Sequence, residues 1–278
     1  MKRLLPLIVT LFGALATLGC AHPDAPPPPG LAQPRFVLLG EVHDNPRHHT
    51  LRAEWLRALL ADGRPTRVVF EQLDATKDGA LQAARQDHPR DSDAVARAGG
   101  LDEKGWRWPL HRPLFDVALA AGATITGGNL PRESIRAVVR QGEVPGPLQA
   151  LIDRSGWSPT LQAAAEADIV DGHCGALPAS QVAPMALAQR VRDASMAQAM
   201  LASAPGERVV LIAGNGHVRR DRGVPHYLRG AGVAATDIIA VGLVEIDGMD
   251  APASAFDRLQ ATEREPRPDP CEAFKTSR

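Results

Sequence analysis

The chain has 278 residues, 44% of them hydrophobic and 23% charged, enough to bury the core of one large domain, or of a large and a small one. Its 31 Lys and Arg stand against 32 Asp and Glu. That balance argues against a nucleic-acid partner and against a membrane surface held by charge.

Residues 1–19 read as a signal peptide. Lys2 and Arg3 are its basic region, and the apolar run Leu4 to Leu18, broken by Pro6, Thr10, Gly13 and Thr17, is too short to remain as a membrane helix. The run ends at Thr17-Leu18-Gly19-Cys20, which resembles a bacterial lipoprotein cleavage site. The expectation is an exported protein anchored to the bacterial envelope through lipidated Cys20. With Ala21 rather than aspartate next, the outer membrane facing the periplasm is the expected place. Residues 20–34, with Pro26 to Pro29 in a row, form a proline-rich tether.

Phe36 to Leu39 is an apolar run without alternation, as in a strand covered on both faces of a parallel sheet. Gly40 stops it. Glu41 and His43 follow at its carboxyl end, and Asp44 or Asn45 caps a helix that begins at Pro46. Leu51, Trp55, Leu56, Leu59 and Leu60 line one helical face, with Arg52, Glu54 and Arg57 elsewhere. His48 and His49 read as solvated residues of the first turn. Val68 to Phe70 is the next strand and delivers Glu71.

From Asp74 to His111 the pattern is helical, interrupted at His88-Pro89 and Gly99-Gly100. Trp106 and Trp108, two of only four tryptophans, either anchor a helical subdomain or wall an apolar slot for a large flat ligand. A helix from Pro113 to Ala121 leads to a strand, Thr124 to Thr126, that runs through Gly127 and Gly128 to Asn129. Residues 131–185 are short proline-broken helices, read as a smaller helical insertion over the carboxyl edge of the sheet, with His173 and Cys174 facing the site. A helix from Ala186 to Ser203 returns to the strand Arg208 to Ala213, which ends in Gly214-Asn215-Gly216-His217. Ile238 to Val244 closes the sheet, and residues 249–278 read as a surface tail.

The fold class is therefore α/β, a parallel sheet flanked by helices, with residues 35–130 and 186–248 forming the main domain. Two apolar strands each end in Gly-x-x-His, which brings His43 and His217 to the carboxyl edge where open sheets of this class bind ligands. Glu41, His43, Glu71, Asn129 and His217 are the candidate catalytic residues, and Glu41, His43, Glu71 and His217 a candidate set for a divalent metal ion. Cys174 and Cys271 in an exported chain read most simply as a disulfide. The alternative is Cys174 as a metal or haem thiolate beside His173. No Gly-x-Ser-x-Gly or His-Glu-x-x-His motif is present, which argues against serine hydrolase and zincin chemistry.

Gly40-Glu41-Val42-His43, Phe70-Glu71-Gln72, Arg192-Asp193-Ala194-Ser195-Met196-Ala197 and Gly214-Asn215-Gly216-His217, in this order, resemble the ChaN-type family of bacterial haem-binding lipoproteins. His173-Cys174-Gly175 and the stretch Trp106 to Leu114 are similar to it as well. The wider superfamily includes Tiki-type and erythromycin-esterase-like proteins. The resemblance implies a parallel α/β domain with a small helical domain, and haem in an apolar crevice shared across a homodimer, with a tyrosinate iron ligand. The only tyrosine here is Tyr227, and His111 stands in the tryptophan-rich stretch. Either is a candidate iron ligand, with His173, Trp106 and Trp108 as further cofactor-binding candidates. The wider superfamily implies instead a metal-dependent hydrolase built on the paired Gly-x-x-His motifs and glutamates.

Overall fold

Six strands lie side by side and all run parallel in the computed structural model, which describes residues 26–246, 248 and 252–272. The expected signal peptide and Cys20 lie outside the described residues. The strands are β1 (Phe36–Leu39), β2 (Thr66–Asp74), β3 (Thr124–Asn129), β4 (Arg208–Ile212), β5 (Ile238–Glu245) and β6 (Arg258–Thr262). Their order across the sheet is β3-β2-β4-β1-β5-β6. The chain moves outward from β1 through β2 to β3, then returns to insert β4 between β1 and β2. Phe70, Ile212 and Leu39 stand in one line across β2, β4 and β1, so the residues that follow each of them leave the sheet at the same level.

Apolar residues at every position of β1 satisfy two cores. Val37 and Leu39, with Val68, Phe70, Val210 and Ile212, face α1 (Pro46–Leu60), α2 (Asp78–Asp87), α3 (Ser92–Ala98) and α4 (Arg112–Ala120). Phe36 and Leu38, with Val69, Val209 and Leu211, face the other side. There they meet α5 (Arg132–Gln141), α6 (Gly146–Arg154), α8 (Ala179–Leu201) and α10 (Val224–Gly230). The remaining helices are α7 (Pro159–Gly172), beside α8, and the single turn α9 (Asn215–Val218). None of the described helices is long and apolar enough to cross a membrane.

Four expectations change. The tether is shorter than residues 20–34, because Leu31 is only 2% exposed and belongs to the first core. The helical segment 131–185 is not set apart from the sheet: Ile135, Val138, Leu148 and Ile152 of α5 and α6 share the second core with the strands. Helix α8 starts at Ala179, exposed or half-buried as far as Met185, and is packed in from Ala186 onward. The described part of the expected tail, residues 252–272, is more than surface. It supplies β6, which pairs beside β5, and Phe256 packs into the second core. β6 presents mostly exposed side chains, so no apolar pattern announces it.

Strand β2 runs on past Glu71 to Asp74, with a register shift against β3 between Phe70 and Asp74. Gly127 makes this possible, since a Cβ there would collide with the Asp74 carbonyl. Cys174 at the end of α7 is bridged to Cys271 at a sequence separation of 97. Closing so long a loop stabilises by about 4 to 5 kcal/mol in the chain-entropy model. The unfolded, non-reduced chain, which holds 3 cysteines, is therefore expected to show no thiol beyond Cys20 in a thiol titration. Reduction should lower its denaturant midpoint. Titratable Cys174 and Cys271 before reduction would refute the bridge.

Candidate functional site

The loop between β1 and α1 is held from both sides. Asn45 caps α1, its side chain accepting from the amides of Arg47 and His48. The first turns of α1 then fold back on the loop. His48 Nδ1 accepts from the Val42 amide at 2.9 Å while its Nε2 donates to Thr262 Oγ1 at 2.8 Å. His49 Nε2 donates to the His43 carbonyl at 2.9 Å, and its Nδ1 accepts from Arg52 at 3.1 Å. Both imidazoles are buried, contrary to the solvated reading, and burial pulls each down to about 4, so both are neutral and act as fixed hydrogen-bond hubs. Arg52, also buried, donates to Glu41 Oε2 and reaches the carbonyls of Leu39 and Ala213 at 3.4 Å each.

Glu41 turns its other oxygen to His43, whose Nδ1 donates to Oε1 at 2.9 Å. The His43 side chain is 49% exposed, and Trp106 meets it edge-on at 5.0 Å between ring centroids. Behind the ring lies Gly214, where a Cβ would fall 2.8 Å from both Cε1 and Nε2. Glycine at 214 is therefore what admits this imidazole. Glu71, from β2, accepts from the Gly214 amide at 2.8 Å and lies 3.3 Å from His217 Nε2. His217 Nδ1 donates to Asp193 of α8 at 2.7 Å. Asn129 stands one step away, its Oδ1 accepting from Arg192 at 3.1 Å. The strand ends thus carry Glu41, His43, Glu71, Asn129 and His217 to one edge of the sheet.

A family model described as haem-binding uptake, Tiki superfamily, ChaN matches residues 29–228. The chain belongs to that family. Among solved structures, ChaN of Campylobacter jejuni, determined with cofacially bound haem, is similar at a TM-score of 0.69 and 20% identity, over 82% of this chain and 87% of that one. An erythromycin esterase, EreC, in an open conformation reaches 0.44 at 14% identity, covering 77% of this chain and 71% of its own. A Bacillus cereus protein reaches 0.45 at 13% identity, covering 78% and 69%. A search of curated proteins returned no significant match. The likeness to ChaN of Campylobacter jejuni establishes the shared fold.

The remaining candidates of the ChaN-type reading are dispersed. Tyr227 on α10 is fully buried in the second core, stacked on Trp157 at 6.3 Å, and burial raises its phenol above the ordinary value. His111 is buried at the start of α4 with neither ring nitrogen hydrogen-bonded. Its ring meets His49 edge-on at 4.3 Å, and burial pulls it down to about 2. His173 ends α7 beside the disulfide, its Nδ1 donating to the Ile169 carbonyl at 2.7 Å. The two tryptophans part ways. Trp106 faces His43 and His111, whereas Trp108 donates to Asp93 at 2.6 Å and packs on Phe115. Sequence reasoning missed His48, His49 and Arg52 as parts of the site, and left Asp193 as a motif letter without a role. No periodic signal marks His48, His49 and Arg52, because their burial answers to the polar groups of Glu41, Val42 and His43.

The metal set Glu41, His43, Glu71 and His217 does not fit a divalent ion as it stands. Burial alone would lower His217, but the carboxylates of Glu71 and Asp193 outweigh it and raise the imidazole to about 10. Both its nitrogens face carboxylates, Nε2 at 3.3 Å from Glu71 and Nδ1 at 2.7 Å from Asp193, so neither is turned to an open coordination position shared with His43. Glu41, His49 and His111 also gather their ligand atoms within 4.8 Å. The guanidinium of Arg52, bonded to both Glu41 and His49, already fills the place of a cation there.

The buried network Asp193–His217–Glu71 has a pH signature. Burial favours the neutral form of Glu71, yet His217 outweighs it and holds the carboxylate well below its ordinary range. Burial raises Asp193 to about 6, a shift His217 partly offsets. His217 contributes fully below its unfolded value and loses that contribution as pH rises through about 10. Asp193, also raised, gives up its contribution as pH rises through about 6. Glu71, depressed, keeps its contribution above its ordinary range and loses it only in strong acid. The His217 ring nitrogens are expected to stay protonated in NMR spectra from about pH 7 to about pH 9, where a free histidine is neutral. A midpoint near the ordinary histidine value would contradict the two-carboxylate clamp.

Proposed function

We propose that this chain is an exported, lipid-anchored haem-binding protein serving haem uptake or handling, and that it binds haem at the carboxyl edge of its sheet. Family membership supports the ligand class. The observation that carries its placement is the pair of rings at the open edge, exposed His43 and half-buried Trp106, 5.0 Å apart. Haem bound there needs a donor for its iron, an apolar or aromatic wall and cations for its propionates. His43 supplies a nitrogen donor and Trp106 an aromatic surface. Arg107, whose side chain is 63% exposed and reaches Asp44 at 3.4 Å, supplies a cation at the same rim. The residues fit the group. An open rim of this kind also suits a homodimer that shares haem between two copies, the assembly expected from the sequence.

A metal-dependent hydrolase is the weaker reading, because its proposed base and ligand His217 has both ring nitrogens engaged by the carboxylates of Glu71 and Asp193. In a hemin titration the full chain is expected to give a sharpened Soret band, and Trp106→Ala is expected to weaken binding by about 1 kcal/mol, roughly the worth of one aromatic contact. The broad spectrum of aggregated hemin alone would defeat the haem reading. Cys20→Ser is expected to move the protein from the membrane fraction to the soluble periplasmic fraction and to abolish labelling by a fatty-acid probe. An unchanged distribution would remove the lipid anchor.

A further inference from the structure

We propose that His43 is the residue of this chain that ligates the haem iron, in place of a tyrosine. The inference rests on the haem reading above and assigns the atom that carries it. Iron in haem takes imidazole, thiolate, thioether or phenolate donors, and most such groups near this edge are already committed. Tyr227 is buried beneath α10 in the second core. His111 is shut in behind His49 and Trp106. His48, His49 and His217 each use both ring nitrogens in hydrogen bonds or ion pairs. The sulfurs of Cys174 and Cys271 are bridged to each other.

His43 differs from all of these. Its Nδ1 donates to the Glu41 carboxylate at 2.9 Å, and its side chain is half exposed. With the proton on Nδ1, the lone pair is on Nε2, for which the described residues provide no hydrogen-bond partner. An imidazole that gives one N–H to a carboxylate and leaves the other nitrogen open is the arrangement that metal-ligating histidines adopt, because the carboxylate fixes the tautomer and the ring orientation. The supports of that carboxylate are built in. Arg52 holds Glu41 from behind, and the His43 carbonyl is tied to His49. Gly214 leaves room for the ring, since the nearest atoms to a Cβ there are Cε1 and Nε2 of His43.

The test is a hemin titration of the full chain and four variants, followed by absorption and electron paramagnetic resonance spectra. His43→Ala is expected to lose the ligated spectrum, and added imidazole is expected to restore it by entering the vacated space. His43→Tyr is expected to convert the spectrum to that of a phenolate-ligated ferric haem. Gly214→Ala is expected to shift the ligand-field parameters by displacing the ring, and Tyr227→Phe to leave the spectrum as it is. If the unaltered chain binds hemin and His43→Ala keeps the same spectrum, His43 is not the ligand while the haem reading survives. A change confined to Tyr227→Phe would also overturn the assignment. Failure of the unaltered chain to bind hemin would overturn both.

Discussion

The ion pair between Glu41 and Arg52 is the constraint on which the edge of this sheet depends. Both side chains are buried, and burying two charges gains little net stability over an apolar pair. Losing one partner is another matter, because the survivor is left charged in a low-dielectric interior at a cost of about 3 to 5 kcal/mol. Arg52 also reaches the carbonyls at the ends of β1 and β4. The pair thus fixes the carboxyl ends of the two central strands relative to the first helix. Its role is geometric: it holds the loop carrying His43 in one conformation.

Around that pair the polar groups divide by depth. Asp193, His217 and Glu71 form a closed network in which every charge faces an opposite one, with His217 only 13% exposed at its side chain. Such a network rigidifies the junction of β2, β4 and α8 and offers no free lone pair for chemistry. His43 and Trp106 stand nearer the solvent. The paired Gly-x-x-His motifs are therefore alike in sequence and unlike in role. The first presents its imidazole to the surface and the second spends its own on holding strands together.

The parallel sheet and its strand ends were legible in the sequence, because apolar runs such as Phe36 to Leu39 admit few environments and end at residues that change the local chemistry. The polar interior was not. Helical periodicity places Leu51, Trp55 and Leu56 inside, but it gives no reason to bury His48, His49 and Arg52. These are buried because they satisfy Glu41, Val42 and His43, a tertiary fact without a periodic trace. β6 escaped for the opposite reason, since an edge strand with mostly exposed side chains lacks the apolar signal. Tyr227 attracted attention as the only tyrosine, yet its position on the buried face of α10 is set by packing. Composition singles out a residue type but does not locate it.

Arg52 has a further consequence for the proposed iron ligand. A carboxylate with no other partner pulls strongly on the proton of the imidazole it holds, pushing a bound histidine toward imidazolate character. Glu41 is shared. One oxygen meets His43 while the other meets the guanidinium, so part of its charge is neutralised before it acts on the ring. His43 is thereby oriented by a carboxylate that a guanidinium also shares, and as the proposed ligand its imidazole would be a weaker electron donor to ferric iron than phenolate.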